Sequence, residues 1–207
     1  MDIYIDNNKY QALEDETIIQ VADRYDIHIP RFCYHKRLSI VASCRMCLVE
    51  VEGAKYPQPA CSTFVRDGMK VNTVGSITED AQKSTMEFLL INHPLDCPDC
   101  DQAGECELQD ISLDHGDYKS NYKEIKRTVI DKDIGNLITT EMTRCIHCSR
   151  CVRFGEEVAG IKELGMTGRG EETKIETFVN QSLTSELSGN VIDLCPVGAL
   201  NNNLYKY

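Results

Sequence analysis

Tryptophan is absent from this 207-residue chain and phenylalanine occurs only five times. A chain so poor in large aromatics buries a modest core for its length, so something besides packing is expected to help hold it together. A bound metal group does this when its affinity adds to the folding free energy. Basic residues are also in short supply. Lys and Arg number 22 against 33 Asp and Glu, giving a formal charge of −11 and a sequence pI of about 4.9. That balance excludes the clustered cationic footprint of a nucleic-acid binder. It fits solubility, and an acidic surface also favours a basic protein partner. Long apolar runs are missing. Phe88 to Ile91 is typical of those present, whereas a membrane-spanning helix needs about 20 apolar residues, so no direct membrane span is expected. There is no G-x-G-x-x-G fingerprint and no Walker A loop. The glycine-rich run Gly165 to Gly170 lacks the required order and reads as a tight loop. No nicotinamide, flavin or nucleotide site is therefore expected.

Cysteine is what the chain has in quantity: eleven residues, an odd number, gathered in tight C-x2-C groups. That usage argues against a disulfide framework and for a reducing compartment. The start, Met1 to Ile5, reads as a first strand with no basic leader or signal-peptide core. The expectation is a protein that works in the compartment where it is made.

The coarse organisation is α+β, with three stretches expected: residues 1–76, 77–122 and 123–207. In the first, Ile3 to Ile5 reads as a strand and Asn7-Asn8 as a turn. Thr17-Ile18-Ile19-Gln20 fits a capping box before a short helix with Ile18, Ile19, Ala22 and Tyr25 on one face. Strands are expected at Leu48 to Glu52 and Met69 to Val74, stopped by Gly53 and Gly75. The second stretch opens with a helix from Ile77 to Ile91, capped by Ser76 with Glu79 and broken at Asn92-His93-Pro94. Leu95 to Tyr122 reads as loop-rich. The third stretch mixes short strands and helices and ends in a tail, Asn201 to Tyr207. No Pro- or Ser-rich linker separates the three, so one compact body is expected.

Three groups of candidate metal ligands emerge. The first is Cys33, Cys44, Cys47 and Cys61, spaced C-x10-C-x2-C-x13-C. It keeps the C-x2-C and remote fourth Cys of plant-type [2Fe–2S] proteins, with a longer first loop. The second is His93, Cys97, Cys100 and Cys106. Three thiolates leave a [4Fe–4S] cluster one ligand short, and His93 stands where the fourth is missing. Asp96 and Asp99 compete as oxygen donors, but carboxylates are harder than imidazole. The third is Cys145, Cys148, Cys151 and Cys195, the last followed by Pro196. Its C-x2-C-x2-C run resembles bacterial ferredoxins, but Gly155 stands where a neighbouring cluster's ligand would be, so the run reads as one [4Fe–4S] centre closed by Cys195. Four-ligand zinc sites remain the alternative for each group. The groups use every Cys and leave no candidate nucleophile, so no catalytic residue is assigned.

Longer stretches carry a family resemblance. Ser43-Cys44-Arg45-Met46-Cys47-Leu48-Val49-Glu50-Val51, His93-Pro94-Leu95-Asp96-Cys97-Pro98-Asp99-Cys100 with Gly104-Glu105-Cys106, Arg144 to Arg153, and Gly189 to Leu200 resemble the amino-terminal part of the large (75 kDa) iron–sulfur subunit family of respiratory complex I, the NADH–quinone oxidoreductase. The resemblance implies a ferredoxin-like β-grasp domain with a [2Fe–2S] cluster, a one-His/three-Cys [4Fe–4S] segment, and a small ferredoxin-type α+β domain with an all-Cys [4Fe–4S] cluster. It implies electron transfer from an FMN-binding flavoprotein subunit toward quinone, visiting the first group, then the third, then the second. Other peripheral-arm iron–sulfur subunits are the implied partners, with a separately encoded carboxy-terminal domain where the family's long molybdopterin-oxidoreductase-like region would follow. The implied location is peripheral, on the matrix side of the mitochondrial inner membrane or the cytoplasmic face of a bacterial one. The clean start and early stop favour an organelle-encoded piece of a divided subunit. The diaphorase subunit of a bidirectional NAD-linked hydrogenase is the alternative within this class, and a structural zinc-binding interaction module the alternative outside it.

Overall fold

The computed structural model describes residues 1–205, with the backbone alone at Asn180. Lys206 and Tyr207, which end the expected tail, lie outside the described residues. The architecture is α+β. The amino-terminal sheet contains β1 (Asp2–Ile5), β2 (Asn8–Gln11), β3 (Leu48–Val51), β4 (Gln58–Pro59) and β5 (Met69–Asn72) in the order β2-β1-β5-β3-β4. It is mixed. β1 runs antiparallel to β2 and parallel to β5, with Ile3 opposite Tyr10 and Met69, while β3 is antiparallel to β5 with Val51 opposite Val71. Strand residues alternate between faces, and β1 accordingly buries Ile3 and Ile5 and leaves Asp2 and Tyr4 partly exposed. Helix α1 (Ile18–Arg24) covers that face with Ile18, Ile19, Val21 and Ala22. Its capping box forms as expected, the Thr17 N–H donating to Gln20 Oε1 at 2.8 Å.

Two local expectations shift by one residue. The hairpin turn lies at Asp6-Asn7, not Asn7-Asn8. Both take positive φ, 49° and 66°, as a tight two-residue turn requires. Asn8 then opens β2, an exposed edge strand whose lack of alternation hid it from the sequence. Likewise α2 (Ser76–Leu90) is capped by Gly75, with Ser76 its first helical residue. Gly75 has φ +128°, which glycine alone adopts easily, and its N–H donates to Glu79 Oε1 at 3.3 Å.

The stretch expected to be loop-rich contains a helix, α3 (Glu107–His115). It buries only Leu108 and Ile111, and two apolar positions give too short a pattern to detect. Beyond it β6 (Ile138–Thr140) leads to α4 (Arg150–Glu157), then a hairpin of β7 (Leu164–Thr167) and β8 (Lys174–Thr177), then α5 (Asn190–Leu194) and β9 (Leu200–Asn202). The glycine-rich run is therefore strand up to Thr167 and loop only from Gly168. The expected tail is also corrected. Asn201 is buried and pairs with Thr139 as β9 returns antiparallel to β6. A single core cluster draws Phe32, Met46, Met86, Leu108, Ile146 and Val197 from all three stretches. Among the described residues no helix is long and apolar enough to cross a membrane.

Helix α2 is tied to the sheet by polar groups. The buried Thr78 hydroxyl accepts from the Glu50 N–H of β3 at 3.1 Å and donates to Asn72 O of β5 at 2.9 Å. Gln82 Nε2 donates to Leu48 O at 3.0 Å. Thr78→Val would remove both hydrogen bonds and is expected to cost about 1–3 kcal/mol. Thr85, whose hydroxyl bonds only to Ala81 O of its own helix at 2.8 Å, serves as the control. Denaturant unfolding should move clearly for Thr78→Val and little for Thr85→Val; equal shifts would contradict the tie.

Candidate metal centres

The first group assembles where three loops converge beside the sheet. Cys33 follows α1, Cys44 and Cys47 precede β3, and Cys61 follows β4; all four are buried. Ala42 and Arg45 take positive φ and bend the loop around its cysteines. The Cys33 N–H donates to Cys44 Sγ at 3.4 Å. The sulfurs lie within hydrogen-bonding reach of one another. Bonds from Cys44 and Cys61 hold the Cys33 thiol far below its ordinary range, and a bond from Cys61 lowers Cys47. The same bonds, with burial, push Cys44 and Cys61 up.

In the second group His93 lies just past the end of α2, and its Nδ1 is buried without a hydrogen-bond partner. A buried nitrogen left bare is costly in a finished protein and calls for a missing partner. Burial pushes the imidazole down to about 4, so the ring is neutral and able to act as a ligand at neutral pH. Cys97 is exposed, Cys100 and Cys106 are half-buried, and Cys106 occupies the N-cap of α3. Asp96, a competing donor from the sequence, is instead paired with Arg144 at 2.7 Å, and Asp99 is exposed.

The third group surrounds a cavity. Cys145, Cys148, Cys151 and Cys195 line one cavity with Met142, Ile146, Ile175, Val197, Ala199 and Leu200. Burial among these groups raises the thiols, Cys145 and Cys195 to about 11, Cys148 to about 12, and Cys151 further. Sulfur anions in that cavity need a compensating positive centre. His147 and Ser149 alternate with the ligands in left-handed conformation, φ 53° and 58°, and the His147 N–H donates to Cys145 Sγ at 3.4 Å. Alternation of this kind turns successive N–H groups toward an anion. Among the described residues no three His, Cys, Asp or Glu side chains are placed to hold a single metal ion.

Three family models match the chain in succession. They are a 2Fe-2S iron-sulfur cluster binding domain over residues 1–76, the NADH-ubiquinone oxidoreductase-G iron-sulfur binding region over 82–120, and the NADH-quinone oxidoreductase subunit 3 ferredoxin-like domain over 135–201. The whole chain is 51% identical to the NADH-ubiquinone oxidoreductase 75 kDa subunit of Reclinomonas americana and 50% identical to the mitochondrial NADH dehydrogenase [ubiquinone] iron-sulfur protein 1 of Solanum tuberosum. Over 205 residues, 99% of its length, it is 47% identical to an NADH-quinone oxidoreductase subunit of the bacterium Rickettsia typhi. The chain belongs with the iron–sulfur region of this 75 kDa subunit family. It spans only 30%, 28% and 30% of those three relatives. A crystal structure of an NAD+-reducing [NiFe]-hydrogenase in the H2-reduced state shares the fold, with a TM-score of 0.90 over all of this chain and 88% of that one, at 23% identity.

What the family motifs did not announce is how the groups are tied together. Three buried arginines do this, Arg144, Arg150 and Arg153. Arg144 pairs with Asp96 of the second group's loop. Arg150 grips Glu107, the residue after Cys106, through two hydrogen bonds of 3.0 and 3.1 Å, and also donates to Tyr34 O, beside Cys33, at 3.3 Å. Arg153 bonds to the carbonyls of Cys33 and Cys148. The only sequence signal was cationic residues flanking the third Cys run. The second and third groups also touch directly. Cys106 Sγ lies 3.8 Å from Pro196 O, and a Cβ on Gly198 would stand 2.4 Å from Cys100 Sγ. The third group thus contacts both of the others, and Arg150 joins the first and second as well. Gly198→Ala should force this contact apart and cost about 1–3 kcal/mol as an overpacked site. Thermal unfolding checks it; wild-type stability would mean that the Cys100 loop yields freely.

Proposed function

We propose that the chain is an electron relay of NADH:ubiquinone oxidoreductase (complex I), carrying one [2Fe–2S] and two [4Fe–4S] clusters and no catalytic residue of its own. The observation that carries this is spatial. A core drawn from all three stretches brings together Cys33 and Cys44 of the first group, Cys106 of the second and Cys148 of the third, and His93 carries a buried nitrogen with no partner. Cys33, Cys44, Cys47 and Cys61 hold the [2Fe–2S] cluster, beside a helix-covered sheet of β-grasp type. His93, Cys97, Cys100 and Cys106 hold one [4Fe–4S] cluster, and Cys145, Cys148, Cys151 and Cys195 the other. Residues 1–76, 77–122 and 123–207 are the corresponding units.

When bound, such clusters accept and release single electrons at potentials set by ligand, charge, hydrogen bonds to sulfur and burial. The chain's residues supply those controls. Backbone N–H groups of Cys33 and His147 reach sulfur. The neutral imidazole of His93 removes one negative charge from its group relative to a fourth thiolate, which eases reduction there. The apolar walls of the third cavity exclude water. Three cysteines at successive x2 spacing with a remote closure suit a cubane better than the tetrahedral shell of a lone zinc ion. The contacts that the third group makes with each of the others support the order first, third, second. Electrons arrive from an FMN-binding flavoprotein subunit and leave toward quinone through downstream iron–sulfur subunits. The site of action is the matrix face of the mitochondrial inner membrane, or the cytoplasmic face in a bacterium. Identities near 50% to complex I subunits favour this assembly over a hydrogenase, whose likeness is one of fold at 23% identity.

Metal and sulfide analysis of anaerobically purified protein tests the relay directly. About ten irons per chain are expected, two plus four plus four, with matching sulfide; stoichiometric zinc without iron would overturn the reading. His93→Cys should retain a cluster and lower its potential, as read by an EPR-monitored redox titration. An unchanged potential would remove His93 from the ligand set. Cys195→Ser should disturb the third group's EPR signal first, and its survival while another signal vanishes would break the grouping.

A further inference from the structure

Arg153 differs from its two buried neighbours in what it touches. Arg144 and Arg150 each meet a carboxylate, Asp96 and Glu107. The hydrogen-bond partners of Arg153 are neutral oxygens on every side. Nη1 donates to Ser39 O at 2.5 Å, Nε to Ser149 Oγ at 3.2 Å, and Nη2 both to Cys33 O at 2.6 Å and to Cys148 O at 3.2 Å. Glu157 feels Arg153 only as a longer-range charge, its carboxylate being engaged by the Ser39 N–H at 2.8 Å and the Ser39 hydroxyl. A guanidinium that is 7% exposed and lacks a contacting carboxylate is expensive to bury. Anions on either side of it would supply the missing compensation, and cysteine-ligated clusters are anions.

The geometry is specific as well as charged. A single nitrogen, Nη2, joins the carbonyl of a first-group cysteine to the carbonyl of a third-group cysteine. The two residues are 115 positions apart in sequence (148 minus 33), and this nitrogen is a direct polar link between them. Lysine could not reproduce it. An ammonium offers one nitrogen on a flexible stem, whereas the planar fork reaches Ser39, Cys33 and Cys148 together.

We propose that Arg153 is the positioning residue of the junction between the first and third centres. It fixes the separation of their ligand loops and places a shared positive charge that raises both potentials. The proposal rests on the cluster assignment above. Arg153 is neither oxidised nor reduced; the one electron lost on the first side is the one gained on the third, and no atom or proton moves with it.

The test uses the full chain, purified anaerobically with its clusters, as wild type, Arg153→Lys and Arg153→Met. Iron content is measured first, then each centre's potential by EPR-monitored redox titration, then the magnetic interaction between the reduced first and third centres. Hydrogen exchange over residues 33–39 reports on the loop independently of the metal. Arg153→Met is expected to lower the potentials of the first and third centres while leaving the second near its wild-type value. Arg153→Lys, which keeps the charge, is expected to hold both potentials but weaken the magnetic interaction and speed exchange at 33–39. Wild-type potentials and interaction in Arg153→Met would overturn the proposal. So would iron loss spread evenly over all three centres with the remaining potentials unchanged, the signature of a merely structural role. An iron-free wild type would instead overturn the cluster reading beneath it, before any variant is compared.

Discussion

Sulfur anions cannot be gathered in a water-poor interior unless positive charge and N–H groups are gathered with them. The rest of this structure follows from that requirement. The third cavity is apolar enough to push its thiols up to about 11 or 12, so their ionised forms would need a compensating positive centre. His93 shows the same incompleteness from the other side, with a neutral imidazole nitrogen buried and unbonded. A metal group bound by these residues would add its affinity to the folding free energy of a chain with few large aromatics and a modest core.

Loops rather than regular elements carry most of the ligands, and loops have no intrinsic reason to meet. The sheet and α1 hold Cys33, Cys47 and Cys61 near one another, while α4 and β9 bracket the third run and its remote closure at Cys195. The junctions between groups are then secured by arginine side chains anchored in or just before α4. This gives the net charge of −11 a different meaning inside the protein than outside. Acids dominate the surface, and the buried ionic residues are the cations Arg144, Arg150 and Arg153. A guanidinium suits this task because its fixed fork reaches several carbonyls at once and keeps its charge when buried.

The errors in reading the sequence have a common physical form. β2 is an edge strand with no fully buried residue, α3 buries two residues, and the closing strand β9 pairs with β6, far back along the chain. In each case the stabilising contact is tertiary, so the local pattern is faint. The one-residue shifts at Asp6-Asn7 and at Gly75 come from backbone conformations, positive φ in both cases, which a hydrophobic pattern does not register.

The candidate ligands, by contrast, came from the sequence alone. Soft donors at x2 spacing followed by a remote partner are a local chemical signature, and the arithmetic of eleven cysteines pointed to His93 without any structure. The α+β class, α1 with its capping box and the absence of a long apolar helix were equally local and equally visible. Only the tertiary structure decided how the groups stand to one another: the third in contact with the first and with the second, Cys100 against Gly198, and one Arg153 nitrogen shared by Cys33 and Cys148. Those relations join residues far apart in the chain. They arise from packing and from the need to neutralise buried charge, and spacing along a sequence encodes neither.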